Sequence, residues 1–125
     1  MRKPMSTDPR RKLGAFAEGL AASFLESLGY RVLERNWRCR LGEIDLICRE
    51  AETLVFVEVR ARRGTRFGTP EESLDGRKRR RLERLATAYV QSSSWLGAWR
   101  IDVVTVRIAN NAAPEIRHYP SAFGP

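Results

Sequence analysis

Residues 43–60 read EIDLICREAETLVFVEVR, and this stretch decides the fold. Glu43 to Arg49 and Thr53 to Arg60 are strand-like segments separated by the polar link Glu50-Ala51-Glu52, the pattern of a β-hairpin. Leu54-Val55-Phe56-Val57 contains no polar residue, so its strand is expected at the centre of a sheet covered on both faces. Carboxylates interrupt this apolar pattern. Side chains alternate along a strand, which places Glu43 and Asp45 on one face and, in the second strand, Glu58 with Arg60. A charge inside such a strand is costly to desolvate unless it is paired or holds a metal.

Upstream, Leu13, Phe16, Ala17, Leu20, Ala21, Phe24, Leu25 and Leu28 recur at helical spacing, which predicts a helix over 12–28 closed by Gly29. Glu18 lies in its middle, and the neighbouring Gly19, unfavourable in a helix, suggests a close approach there. Residues 1–11 are polar, carry two prolines and read as a disordered leader. Tyr30 to Arg35 predicts a first strand, with a turn from Arg38 to Gly42. Downstream, residues 61–74 hold two glycines and a proline and read as a long mobile loop. A second helix is expected at 75–91, with Leu82, Leu85, Ala86, Tyr89 and Val90 facing the core. Ile101 to Val106 forms a fourth strand, and Ile116 to Tyr119 is a candidate edge strand. The order α-β-β-β-α-β, with that candidate final strand, describes one α/β domain over 12–125: a mixed sheet between helices.

Composition narrows the function. Of 125 residues, 42% are hydrophobic, enough for a core without disulfides, and no apolar run reaches the length of a membrane span. The two cysteines, Cys39 and Cys48, form neither a disulfide framework nor a zinc quartet, which suits a reducing cytoplasm. The net charge is +8, and ten basic against four acidic residues fall between Arg60 and Arg84. A basic block of this kind suits a polyanion, above all nucleic acid. Its candidate phosphate contacts are Arg62, Arg63, Arg66, Arg77, Lys78, Arg79, Arg80 and Arg81.

Asp45 and Glu58 lie on strands expected to pair, so their carboxylates can converge. A hard divalent cation, Mg²⁺ or Mn²⁺, relieves the repulsion between two such groups and is commonly held through carboxylates and phosphate. Beside a basic loop and helix, this combination suits metal-dependent phosphodiester cleavage, with a cation near Glu58 stabilising developing charge. The competing reading is a structural cluster in which Asp45 and Glu58 pair with Arg60, Arg38 or Arg40. Bland roles are open elsewhere too: His118 as a surface or packing residue, and Asp102 as a partner for Arg100. Trp37, Trp95 and Trp99 suit a core or a partner surface, and Cys48 is expected to face the core with Ile44 and Leu46.

Asn36 with Arg38, Gly42-Glu43-Ile44-Asp45-Leu46-Ile47 and Phe56-Val57-Glu58-Val59-Arg60-Ala61-Arg62 resemble the signature of the YraN-like bacterial family. That family is similar to archaeal Holliday junction resolvases of the PD-(D/E)-x-K nuclease superfamily. The resemblance extends to Gly14, Glu18 and Ala21, to Lys78 and Ala86, and through residues 100–104 and 118–123. It implies a restriction-endonuclease-like fold, with Asp45 and Glu58 as metal ligands and Glu18 as an accessory acid. It also implies action on DNA more than RNA, branched structures included, and a homodimer. The family pattern has lysine where this chain has Arg60. A lysine orients water, whereas an arginine offers a planar fork for phosphate. Arg60 is therefore the fourth candidate catalytic residue, and Lys78 is the lysine left to assist. The same arginine supports the alternative of a nucleic-acid-binding module without cleavage.

Overall fold

The apolar run Leu54–Val57 sits where its composition requires. A computed structural model of the chain describes residues 9–64 and 75–122. Its elements are α1 (Pro9–Ser27), β1 (Arg31–Cys39), β2 (Gly42–Glu50), β3 (Thr53–Arg63), α2 (Gly76–Ser92), β4 (Trp99–Ile108) and β5 (Glu115–Tyr119). They form one mixed sheet in the order β1-β2-β3-β4-β5, with β3 in the middle. β1, β2 and β3 form an antiparallel meander, β4 runs parallel to β3, and β5 returns antiparallel along β4. A parallel neighbour needs a crossover, and α2 lies in the segment that makes it.

Each helix covers one face of the sheet. Ala17, Ala21 and Leu25 of α1 pack with Leu46, Cys48, Val55, Val57, Val104 and Val106. Leu82, Leu85 and Ala86 of α2 pack with Ile44, Ile47, Phe56, Ile101 and Val103. Val55 and Val57 thus belong to one core and Leu54 and Phe56 to the other, which is why β3 tolerates no polar residue there.

Several boundaries differ from the sequence reading. Helix α1 begins at Pro9, so residues 9–11 of the expected leader are helical; proline is tolerated in a first turn because its missing N–H has no intrahelical partner there. Residues 1–8 lie outside the described residues. The helix closes at Gly29, which has a φ of 94°, with the Tyr30 and Gly29 amides donating to the Leu25 and Glu26 carbonyls. Strand β1 continues to Cys39, past the expected end at Arg35, because a register shift between Val32 and Glu34 and the positive φ of Asn36 obscure its period. Ala61–Arg63 belong to β3 and not to a loop, being paired with Val106–Ile108 of β4. Residues 65–74 of that loop lie outside the described residues. A Cβ at Gly19 would meet nothing within 4 Å, so among the described residues no close approach accounts for that glycine.

Asp102 is fully buried and structural, as one of its two readings held. Arg100 Nε donates to its Oδ1 at 2.9 Å, the Ser121 amide to the same oxygen at 3.0 Å, and His118 Nε2 lies 2.8 Å from Oδ2. Arg100 also donates to the Tyr30 hydroxyl at 2.7 Å, while the His118 ring sits edge-on to Phe24 and Tyr30. This network ties β4 and β5 to the end of α1, and it makes His118 a packing residue. No described helix is long and apolar enough to cross a membrane.

Candidate metal centre at the fork between two strands

The ladder between β2 and β3 runs from Glu50↔Thr53 to Leu46↔Val57. Beyond it β2 stays paired with β1, through Trp37↔Ile44 and Arg38↔Glu43, while β3 stays paired with β4 from Glu58↔Val103 to Arg63↔Ile108. The middle of the sheet therefore opens into a fork, and Asp45 stands in it. Its Oδ2 accepts the Val59 N–H at 2.8 Å, taking over a donor that the lost ladder would have used. The opening also breaks the alternation of faces: Leu46 and Cys48 pack under α1, whereas Ile44 packs under α2. The expected grouping of Cys48 with Ile44 and Leu46 fails for that reason.

Glu18 reaches the fork from α1. One carboxylate oxygen each from Glu18, Glu43 and Asp45 lies within 4.8 Å of the others. Asn36 braces them: with its amide NH₂ turned toward the acids, it donates to Glu18 Oε1 at 3.0 Å and Glu43 Oε1 at 2.5 Å. Its φ of 53° is a conformation that asparagine tolerates better than most residues. Arg38 Nε lies 3.1 Å from the other side of the Glu43 carboxylate.

Burial, and then the charge of Asp45, raises the Glu18 carboxyl from 4.5 to about 7. Burial also pushes Asp45 above its usual range, against the bond from Val59. Glu58, with a side chain only 15% exposed, is raised to about 7 by burial and then by Asp45; Arg60, Arg81 and Lys78 oppose the rise. Arg60 Nη1 stands 3.8 Å from Glu58 Oε1, beyond hydrogen-bond reach. Acids thus gather on the α1 side of the fork and cations on the α2 side, with Glu58 between them.

Hard, mutually repelling oxygen donors of this kind fit a hard divalent cation. The three converging acids are Glu18, Glu43 and Asp45, with Glu58 adjacent. Glu43 was missing from the sequence-derived site, although its place two residues before Asp45 was the signal. Of the expected phosphate contacts, Lys78 and Arg81 come close enough to act on Glu58, and Lys78 does so from the first turn of α2, capped by Asp75. Arg77, Arg79 and Arg80 are exposed on the same helix, with Arg79 paired to Glu83 at 3.1 Å. Arg62 and Arg63 end β3, beside Arg107 and Ile108 of β4. Arg66 lies outside the described residues. The tryptophans are used in packing: Trp37 sits edge-on to Tyr89, Trp99 edge-on to Phe56, and Trp95 lies beneath the Arg49 guanidinium.

A family model described as "Uncharacterised protein family UPF0102" matches residues 17–106. A UPF0102 protein of Moorella thermoacetica is 52% identical over 101 residues, covering 80% of this chain and 84% of the relative. One from Herpetosiphon aurantiacus is 44% identical over 117 residues, covering 90% and 94%. One from Mycolicibacterium vanbaalenii is 46% identical over 114 residues, covering 90% and 93%. The matched span contains every acid of the fork.

Proposed function

The chain belongs to the uncharacterised protein family UPF0102, the YraN-like family its motifs resemble, and from that premise we propose that it is a metal-dependent endonuclease-like protein acting on nucleic acid, DNA in the first place. Its sheet and helices are read as a restriction-endonuclease-like domain. The observation that carries this reading is the convergence of Glu18, Glu43 and Asp45 in a fork whose other side presents Arg60, Lys78 and Arg81.

Asp45, with Glu58 and the two flanking glutamates, would hold Mg²⁺ or Mn²⁺. Such an ion, when bound, supplies Lewis acidity to a phosphoryl oxygen and makes water a stronger acid. The other steps belong to the chain. Glu58, raised to about 7, exchanges its proton near neutral pH, and its carboxylate would be the form that holds a cation. Arg60 offers its fork to the non-bridging oxygens of the scissile phosphate. Lys78 and Arg81 approach from α2 and neutralise charge developing on the leaving oxygen. The Val59 N–H holds Asp45 in one orientation throughout.

Incubation with branched, single-stranded and duplex DNA and with matched RNA, in Mg²⁺ or Mn²⁺, tests the proposal. Cleavage that disappears in Asp45→Ala and Glu58→Ala is the expected result; no cleavage of any substrate with either metal overturns it. A second reading, a binding module without cleavage, is favoured by Arg60 standing where the family pattern has lysine. It predicts salt-sensitive binding that survives Asp45→Ala, and cleavage appearing only in Arg60→Lys.

A further inference from the structure

The turn between β1 and β2 has a composition its geometry does not explain. The ladder closes at Cys39↔Gly42, leaving Arg40 and Leu41 as the two turn residues. Turns of this kind favour Gly, Asn, Asp or Ser at the tip. Here Gly42 does supply the positive φ, at 139°, yet the tip carries a leucine that is 47% exposed. The turn does not project freely, because a Cβ on Gly42 would lie 3.7 Å from Leu85 and 4.0 Å from Arg81, so its base rests on α2.

Between this turn and α2 runs an open groove of about 540 Å³, with Leu41 on one wall and Arg80, Arg84, Thr87 and Gln91 on the other. Arg80 and Arg84 are one helical turn apart and face the same groove. Glu83, the acid beside them, is engaged by Arg79 at 3.1 Å. Arg81 links the groove to the fork, since it packs near Gly42 and also acts on Glu58. The groove therefore carries positive charge toward the acidic centre.

Building on the nucleic-acid reading above, we infer that this groove seats the phosphate backbone leading into the fork and that Leu41 is a specificity-determining residue which inserts where base stacking is interrupted. Charge complementarity identifies the occupant: two arginines at one-turn spacing match successive phosphates. An exposed leucine among arginines gains nothing from phosphates or from a continuous, fully stacked duplex. It gains from the apolar face of an unstacked base, and opening a step costs least where pairing is already broken. Leu41 lies four residues from Asp45, about 13 Å along an extended strand, so it contacts the helix roughly four base pairs from the phosphate at the fork.

Binding measured in EDTA, without cleavage, tests this on two DNA probes: a continuous duplex, and the same duplex with a central bulge of unpaired bases. The wild type is expected to bind the bulged duplex about tenfold tighter than the continuous one. Leu41→Ser removes that preference and leaves continuous-duplex affinity unchanged, while Leu41→Met restores it. Arg84→Ala weakens both probes alike and lowers the salt slope by about one. Salt-sensitive binding with equal affinities for the two probes, or a preference that survives Leu41→Ser, overturns the wedge and leaves the nucleic-acid reading standing. Absence of salt-sensitive binding to either probe overturns both.

Discussion

Glu58→Gln separates a metal centre from a structural salt bridge by the sign of its effect on stability. In the metal-free protein the Glu58 carboxyl is raised from 4.5 to about 7, chiefly by burial and then by Asp45. Because the folded value lies above the unfolded one, its contribution to stability is whole below about 4.5 and is lost as pH rises through about 7. At pH 8 the loss is about 3 kcal/mol, and at pH 5 less than about 1 kcal/mol. Glutamine keeps the shape and carries no charge, so Glu58→Gln should be more stable than wild type by about 2–3 kcal/mol at pH 8. For a domain of this size that is about 10 °C in Tm. At pH 5 the two proteins should nearly coincide. The assay is thermal or urea unfolding in EDTA at both pH values. Adding Mn²⁺ at pH 8 should stabilise the wild type, by about 2.7 kcal/mol at a hundredfold excess over Kd, and the variant much less. A variant less stable than wild type at pH 8 in EDTA refutes the reasoning, because the Glu58–Arg60 pair would then stabilise the fold on balance.

Asp102→Asn should destabilise the protein by about 3 kcal/mol, measured by urea unfolding at pH 7, because it removes the fully buried charge shared by Arg100 and His118 and leaves the half-buried Arg100 only its outer partner Glu50. Hydrogen bonds from His118 and Arg100 hold the Asp102 carboxyl below its usual value despite burial; its contribution is therefore present above about pH 4 and lost as pH falls through the lower folded value, which an acid titration of stability in wild type and variant will register. Gly19→Ala should stabilise by about 0.5–1 kcal/mol, since a Cβ there meets open space within a helix; destabilisation would reveal a contact at that position. Leu85→Ala, emptying the fully buried contact between α2 and the sheet, should cost about 2–5 kcal/mol in chemical unfolding.

What the sequence made legible follows from how many residues vote on each feature. The central strand was readable because Leu54 to Val57 all require burial, and both helices because their apolar positions recur over several turns. Element ends were less readable, since each depends on one or two residues. Pro9 fits a first helical turn as well as it fits a leader, and Arg62 and Arg63 are strand residues held by pairing with β4 that no local pattern announces. The site was legible to the same degree. Asp45 and Glu58 stood out as charges where the fold wants none, and alternation placed Glu43 beside Asp45.

What no local pattern contained was the fork itself. Strict pairing would have put the Asp45 and Val59 backbones into one ladder and left the carboxylate to find a cation alone. The strands part after Leu46↔Val57, so the carboxylate bonds the Val59 amide, meets Glu18 from α1 and lies close enough to Glu58 to raise its carboxyl. The same parting moves Ile44 to the α2 face and draws the β1–β2 turn down onto Leu85 and Arg81. One break in a ladder therefore sets both the acidic centre and the basic groove beside it. Substitutions that restore pairing at the fork, and not only those that remove a carboxylate, should abolish the stabilisation by Mn²⁺ that unfolding with and without the metal reads.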